Sequence, residues 1–388
     1  MDGSIVEHHP DNESEQGPEI LEVQAVGGLR ILTWNINGIR SLADFPKVLQ
    51  ELPADVICLQ ETKVTRDMLT ESVSLLPGFT SYFSFSRRRT GYSGVATFCR
   101  SNVTPAQAEE GIAGSLGGPG DSLDPHLGSE SSLNNICTEF SLESRRALDN
   151  EGRCVITRHK IEGGKFLSIF NLYCPRADPE REDRKRFKLQ FYRAVDLRAA
   201  ALRERGDSVI VLGDINTSHR EEDHCEPYLG FRDRADRRFL DHFILTPGDQ
   251  KDLGESYTEQ EDNVELCQER AGENKDIEEF SNDSEWRGNF KLPSRQFVDT
   301  FRILHPEARQ VFTCWNTEKG CRATNYGTRI DYIFASLDIR TRLASCEVLG
   351  EVEGSDHCPV LASFDLAVQP PERPPKMATM YFTEFGGR

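Results

Sequence analysis

The chain has no apolar run long enough to cross a bilayer. It also lacks the basic start and apolar centre of a secretory signal, and the acids in its first 28 residues argue against a transit peptide. Its 11 cysteines are odd in number, scattered and never spaced as C-x-x-C. That leaves a disulfide framework and a structural zinc site unsupported and suits a reducing compartment. There is no P-loop, no dinucleotide-binding glycine fingerprint and no nucleophile elbow. No repeat of solenoid length is visible. What remains is a chain of 388 residues, enough for one large α/β domain or two smaller ones.

The net charge of −18 is unevenly distributed. Residues 1–28 carry −7, residues 106–150 carry −6 and residues 249–285 carry −11, which leaves the rest at +6. These three segments are poor in large apolar residues, so they read as an acidic disordered tail (1–28) and two acidic insertions without a core. Pro370, Pro371, Pro374 and Pro375 mark 369–388 as a Pro-rich C-terminal linker. The body, 29–368, is mildly basic, which permits a polyanionic partner without demonstrating one.

Within that body, short β-branched runs end repeatedly in polar pairs. Ser208–Leu212 reads as a strand buried on both faces, followed by Gly213, Asp214 and, two positions on, Asn216. Side chains at i and i+2 past a strand end point the same way. Leu29–Trp34 repeats the construction with Asn35 and Asn37, and the run from Asp55 repeats it with Glu61. Arg153–His159 and Phe166–Leu172 form a strand pair around Gly163 and Gly164, and the second strand leads to Tyr173. Helices are expected over Ser41–Leu52 and over Arg181–Glu204, where Phe187, Phe191, Val195 and Leu202 recur at helical spacing. Phe297–Phe301 has a short helical pattern. Later strands hold Asp331 and follow Asp356 and His357. Arg87, Arg88 and Arg89 beside Tyr92 would suit a phosphate backbone and equally suit a solvated basic loop.

Together these strand ends supply carboxylate and amide oxygens, hard donors suited to Mg²⁺ or Mn²⁺, plus one His beside an Asp. Attack of water on a phosphodiester, assisted by a metal, fits that inventory best.

Seven motifs now stand in order: Trp34-Asn35-Ile36-Asn37-Gly38, Leu59-Gln60-Glu61-Thr62-Lys63, Gly91-Tyr92-Ser93-Gly94-Val95, Asn171-Leu172-Tyr173-Cys174-Pro175, Leu212-Gly213-Asp214-Ile215-Asn216, Arg329-Ile330-Asp331-Tyr332 and Ser355-Asp356-His357-Cys358-Pro359. The set resembles the exonuclease III/AP endonuclease family of the endonuclease/exonuclease/phosphatase superfamily, across roughly Leu29 to Leu366. Tyr173–Pro179, Asn216–Arg220 and Asn325–Arg329 resemble its type 2 eukaryotic branch. The resemblance implies an α/β (α+β) fold, a four-layer sandwich of two packed mixed β-sheets flanked by helices. It implies a Mg²⁺-dependent class II AP endonuclease and 3′–5′ DNA exonuclease, Mn²⁺ substituting. Its substrate would be DNA with abasic sites or recessed or blocked 3′ ends.

By the same resemblance, Glu61, Asn37 and Asp356 hold the metal with Asp214 and Asn216 close by. Asp214 orients or deprotonates the attacking water, Asn216 holds Asp214 and the phosphate, and His357, held by Asp331, contacts the scissile phosphate and stabilises its developing charge. Tyr173 and Asn35 complete the phosphate grip. Lys63, Arg87, Arg88, Tyr92, Arg176, His219, Trp315, Tyr326 and Thr328 are the further substrate contacts it implies. A nuclear location follows, with mitochondria as a second site, and no membrane. The branch commonly continues into a sliding-clamp-binding segment and a zinc finger; no cysteine follows Cys358, so that finger is not expected here.

Two positions depart from strong AP endonucleases. Thr328 stands where Trp is typical and Cys314 where Phe is typical. A smaller, less aromatic pocket holds a flipped-out sugar less firmly, so weak abasic-site incision is expected. The competing enzyme readings are an RNA deadenylase, a tyrosyl-DNA phosphodiesterase or a phosphoinositide phosphatase. A non-catalytic DNA-binding scaffold is the reading from a different class. It is disfavoured because every expected polar catalytic position is filled.

Overall fold

The β-branched runs form the centres of two sheets. The computed structural model describes residues 28–116, 131–178, 180–245, 295–317, 319–373 and Pro375. The first sheet contains β1 (Leu29–Asn35), β2 (Val56–Gln60), β3 (Phe79–Ser84), β4 (Val95–Arg100), β13 (Leu343–Val348) and β14 (Val360–Phe364). Its order is β13-β14-β1-β2-β4-β3. The second contains β5 (Gln107–Glu110), β6 (Cys154–Lys160), β7 (Phe166–Tyr173), β8 (Asp207–Asp214), β9 (Phe297–Asp299) and β12 (Asp331–Ser336), in the order β5-β6-β7-β8-β12-β9. A two-stranded ribbon joins β10 (Cys314–Trp315) to β11 (Gly327–Thr328).

Both sheets are mixed, and each has a parallel pair near its centre. In β1/β2 Asn35 pairs with Gln60, and in β7/β8 Tyr173 pairs with Asp214. Parallel pairing places the carboxyl ends of neighbouring strands side by side. Val56, Cys58, Leu167, Ile169, Ile210, Leu212 and Ile333 interleave between the sheets in one apolar core. The outer face of the second sheet packs against α5 (Glu182–Glu204), and that of the first against α1 (Phe45–Glu51). The result is the four-layer arrangement expected. Among the described residues no helix is long and apolar enough to cross a membrane.

Some local expectations change. The helix expected over 41–52 is a 3₁₀ turn at Ile39–Ser41 and a shorter α1, because Asp44 adopts φ 51 and interrupts the helical path. Residues 297–301 begin as strand β9 and turn helical only at Thr300, where Asp299 caps α7 (Thr300–Leu304) through the Arg302 amide. The segment 106–150 is not structureless where it is described. It contains β5, α3 (Ser131–Glu139) and α4 (Leu142–Asp149). Leu133, Ile136, Phe140 and Leu148 anchor these helices in the core that includes Phe191 and Val195 of α5. Buried Asp149 accepts bonds from the amides of Ile112, Ala113 and Ser115. Residues 1–27, 117–130 and 249–285, and the chain beyond Pro375, lie outside the described residues. The start of the Pro-rich stretch is tied to the second sheet, with the Gln369 amide donating to Lys160 and Val368 bridging to Ile161.

Candidate active site

At the ends of β1 and β8 the two sheets meet through polar side chains. The Asn35 amide donates to Asp214 (2.9 Å) and to Glu61 (3.1 Å), joining one sheet to the other. Its carbonyl accepts the Asn37 backbone amide at 3.0 Å. Asn216 returns to Asp214 with its backbone amide at 2.9 Å and its side-chain amide at 3.2 Å. Antiparallel pairing of β12 with β8 sets Asp331 directly beside Asp214. Asp331 in turn holds Nδ1 of His357 at 2.8 Å and accepts the Thr313 hydroxyl at 2.6 Å.

Backbone geometry marks the same place. Asn37, Glu61, Lys63 and Asn216 all have positive φ, between 50° and 58°. Side chains other than glycine adopt that region at a cost, and such residues gather at functional sites. Gly213 is required for a different reason: a Cβ there would lie 1.9 Å from the Leu172 carbonyl oxygen. The strand carrying Asp214 can approach β7 only without a side chain at that position.

The electrostatics follow from burial. Asp214 is pushed up to about 7, first by desolvation and then by the charge of Asp331, with His357 and the Asn35 bond opposing. His357 loses hydration, which would lower its pKa, yet the Asp331 carboxylate holds it well above its usual value. Burial would raise Glu61; the Asn35 amide and the Lys63 ammonium overcome this and hold it below the ordinary carboxylate range. Desolvation, with Glu61 and Asp214 nearby, keeps the Tyr173 hydroxyl protonated.

Two groupings fit a divalent cation. Asp214, Asp331 and His357 each bring a ligand-type atom within 4.8 Å of the others, and the outer carboxylate oxygen of Asp331 is buried without a partner. In the second, Glu61 and Asn37 share one cation already, the Lys63 ammonium, which stands 3.0 Å from Glu61 and bonds the Asn37 carbonyl. Asp356 joins this side through Ser355, whose hydroxyl bonds both the Asn35 carbonyl (2.7 Å) and the Asp356 carboxylate (3.2 Å). Oxygen donors predominate, as hard divalent ions require.

The remaining expected contacts divide. Arg88 and Tyr92 both reach Glu151, at 2.8 and 3.2 Å. Arg87 instead forms a two-pronged pair with Glu110 at 2.8 and 2.9 Å. Arg176 is exposed and makes no ion pair among the described residues. Thr328 faces Cys314 across the ribbon, and Cys314 bridges to His357, which sets Cys314 beside the Asp331–His357 pair and Thr328 one strand away. Trp315 is buried and donates to Asn325 at 3.2 Å; Tyr326 is exposed and bonds Glu226. His219 is not brought to the cluster. It is buried, with its ring on Asp241 at 2.8 Å, beside a small cavity lined by Arg220, Val298 and Arg302.

Sequence reasoning missed Glu151, a buried carboxylate shared by Arg88, Arg153, Arg184 and Tyr92. It also missed the Gln60–Asn171 bond (2.8 Å) that bridges the sheets, and the buried Lys188. Lys188 did carry a signal, because a lysine within the apolar stripe of α5 needs a partner.

A match to the Endonuclease/Exonuclease/phosphatase family spans residues 32–357. The chain is 40% identical over 368 residues to DNA-(apurinic or apyrimidinic site) endonuclease 2 of Xenopus laevis, covering 93% of this chain and 64% of that protein. An exodeoxyribonuclease of Bacillus subtilis is 27% identical over 340 residues, covering 86% of this chain and 98% of that one. The crystal structure of the Xenopus laevis APE2 catalytic domain superposes with TM-score 0.75 at 39% identity, covering 93% of this chain and 99% of that one. The chain thus spans slightly under two thirds of the curated relatives of the first kind. With the polar ends of β1, β2, β8 and β12 gathered where the two sheets meet, the chain belongs to the endonuclease/exonuclease/phosphatase family.

Proposed function

We propose that the chain is a Mg²⁺-dependent DNA repair nuclease that hydrolyses phosphodiesters at 3′ ends and, more slowly, at abasic sites. The observation that carries this is Asp214, a buried carboxylate raised to about 7, bonded to Asn35 and Asn216 and set beside the Asp331–His357 pair. A carboxyl near neutrality is suited to take a proton from water. In the step proposed, water oxygen bonds to phosphorus, its proton passes to Asp214, and the bond from phosphorus to the 3′ oxygen breaks. The same bond is cut in 3′–5′ digestion, in removal of a 3′ block and in incision at an abasic site. Positively charged His357, fixed by Asp331, stabilises charge building on the phosphoryl oxygens. Tyr173 orients the phosphate, whereas Asn35, expected in the same grip, is fully engaged and acts by holding the Asp214 and Glu61 carboxylates in place.

Glu61, Asn37 and Asp356 would hold the metal, which supplies Lewis-acid stabilisation of the phosphoryl and leaving oxygens. Arg88 and Tyr92, organised by Glu151, support a backbone contact upstream of the site, and exposed Arg176 is free to add another. Thr328 and Cys314 present a narrow, weakly aromatic pocket, which favours 3′ ends over flipped-out sugars. A nuclear setting, with mitochondria as a second site, and a sliding-clamp partner engaged through other segments accord with a repair role.

The test uses labelled duplexes, one with a recessed 3′ end and one with a central abasic-site analogue, incubated with Mg²⁺, Mn²⁺ or EDTA. Metal-dependent shortening lost in Glu61→Ala and Asp214→Ala is expected, with slower abasic cleavage. Hydrolysis of RNA or phosphoinositides in place of DNA would overturn the reading.

A further inference from the structure

Lysine at position 188 is hard to explain as a surface charge, because it is 1% exposed. Burying an ammonium is costly unless every donor is satisfied. Its three partners are the Asn216 carbonyl (2.8 Å), the Thr217 hydroxyl (2.6 Å) and the Asp236 carboxylate (2.9 Å). Asp236 has a second cation, Arg234 at 2.7 Å, so Lys188 is not needed to neutralise it. The Asn216 carbonyl, by contrast, receives its bond from Lys188. One turn further along α5, the Tyr192 hydroxyl donates to the Ile215 carbonyl at 2.7 Å and lies 2.9 Å from Thr217. One turn earlier, Arg184 reaches Glu151 at 2.8 Å and Tyr92 at 3.4 Å.

Residues 184, 188 and 192 are spaced i, i+4 and i+8, so they form one stripe roughly 12 Å long on a single helix face. That stripe grips consecutive carbonyls immediately after Asp214. Asn216 is the residue held at φ 58, and its side chain bonds both Asp214 and the Cys174 carbonyl. Asparagine tolerates the left-handed region better than most residues, but Lys188 is what ties its carbonyl to α5 and so fixes where its side chain meets Asp214.

We propose that Lys188, supported by Tyr192, is a positioning residue that fixes Asn216 against Asp214, and that α5 links this loop to the arginine and tyrosine contacts around Glu151. Lys188 touches neither substrate nor metal. It acts through the backbone of Asn216, so its loss lowers turnover and leaves substrate binding nearly unchanged. The inference rests on the nuclease reading above.

The experiment is a double-mutant cycle on the full chain with Mg²⁺ and a recessed 3′ duplex, comparing wild type, Lys188→Met, Asn216→Ala and the double variant. Lys188→Met should lower kcat by roughly 10- to 100-fold with KM within about twofold, since displacements near 1 Å at a site cost that much. Lys188→Arg should restore part of the loss. In the Asn216→Ala background the same Lys188→Met change should cost less than about threefold, because the group it positions is gone. An equal loss in both backgrounds, or a rise in KM alone, would overturn the proposal. If Lys188→Met does not fold, as thermal unfolding reports, Tyr192→Phe replaces it in the same cycle with the same pattern expected. A wild type inert on DNA would refute the nuclease reading; an active wild type indistinguishable from Lys188→Met would refute the positioning role alone.

Discussion

Glu151 offers a direct measure of what a buried charge contributes in this fold. Its carboxylate is 1% exposed and accepts from Arg153 (2.7 Å), Arg184 (2.8 and 3.1 Å), Arg88 (2.8 Å) and Tyr92 (3.2 Å). Burial alone would raise its pKa. The Arg184 bond and the Arg153 charge prevail and hold it at about 2, against an ordinary 4.5. At about 1.4 kcal/mol per pH unit, that depression is worth roughly 3 kcal/mol of folding stability. A depressed carboxyl contributes fully above its unfolded pKa. Its contribution is therefore complete above about 4.5 and fades as the pH falls toward 2. Glu151→Gln keeps the shape but removes the charge and points an amide donor at guanidinium groups. Arg153, itself 2% exposed, is left as an uncompensated buried cation, a situation that costs about 3–5 kcal/mol. The two estimates overlap. Urea denaturation at pH 7 should show a loss in that range, with Tm lower by on the order of 5 °C. The gap between variant and wild type should narrow as the pH is taken below 4.5. A variant within about 1 kcal/mol of wild type at pH 7 would refute the reasoning.

Other outcomes are equally open to measurement. Gly213→Ala should destabilise the protein by several kcal/mol, at least about 3, since its Cβ would lie 1.9 Å from a backbone oxygen at φ 134; a denaturation midpoint near wild type would contradict this. Cys314→Phe with Thr328→Trp should raise abasic-site incision relative to 3′ shortening, read on the two duplexes in parallel; an unchanged ratio would dismiss the pocket argument. Before metal is added Asp214 should titrate near 7, so its ionised, proton-accepting form is lost as the pH falls below that value. Carboxyl chemical shifts followed against pH would detect it, and titration near 4 would refute the burial argument for its raised pKa. Glu61→Gln should weaken Mn²⁺ binding by about tenfold or more in a direct titration, and unchanged affinity would place the metal elsewhere.

Much of the centre of this fold is readable from residues alone. Val209–Leu212 is a continuous apolar run rich in β-branched residues and Leu29–Trp34 is largely apolar, interrupted by Arg30 and Thr33, so both read as central strands and drew notice to the polar residues at their ends. The edges were harder. Leu343–Val348 is mostly half-buried or exposed, carries Ser345 and Glu347, and buries only Cys346, so its sequence shows no strong apolar alternation. The helices of 131–149 looked like loop because they are short and polar, and their few apolar residues find partners in a core built from distant segments, α5 among them. Pairings were least visible of all. Arg88 and Glu151 are 63 positions apart, and only the folded chain shows that the arginine next to Tyr92 is already engaged. The same holds for His219, which the resemblance placed on substrate, while Asp241 takes its ring.

The bond between Gln60 and Asn171 has a consequence for how the molecule can fail. Apolar side chains between two sheets resist separation but offer little resistance to sliding. Gln60 also donates to Thr33, and Asn171 to the Ala96 carbonyl, so each amide is fastened within the first sheet while the pair spans the gap. It works as a dowel. Without it the layers keep their adhesion but their alignment is left to fewer polar ties, chiefly Asn35 on Asp214, and Glu61 and Asn35 belong to one layer while Asp214 and Asp331 belong to the other. A worn dowel would give a protein that is folded by every spectroscopic criterion and yet holds its two half-sites out of line.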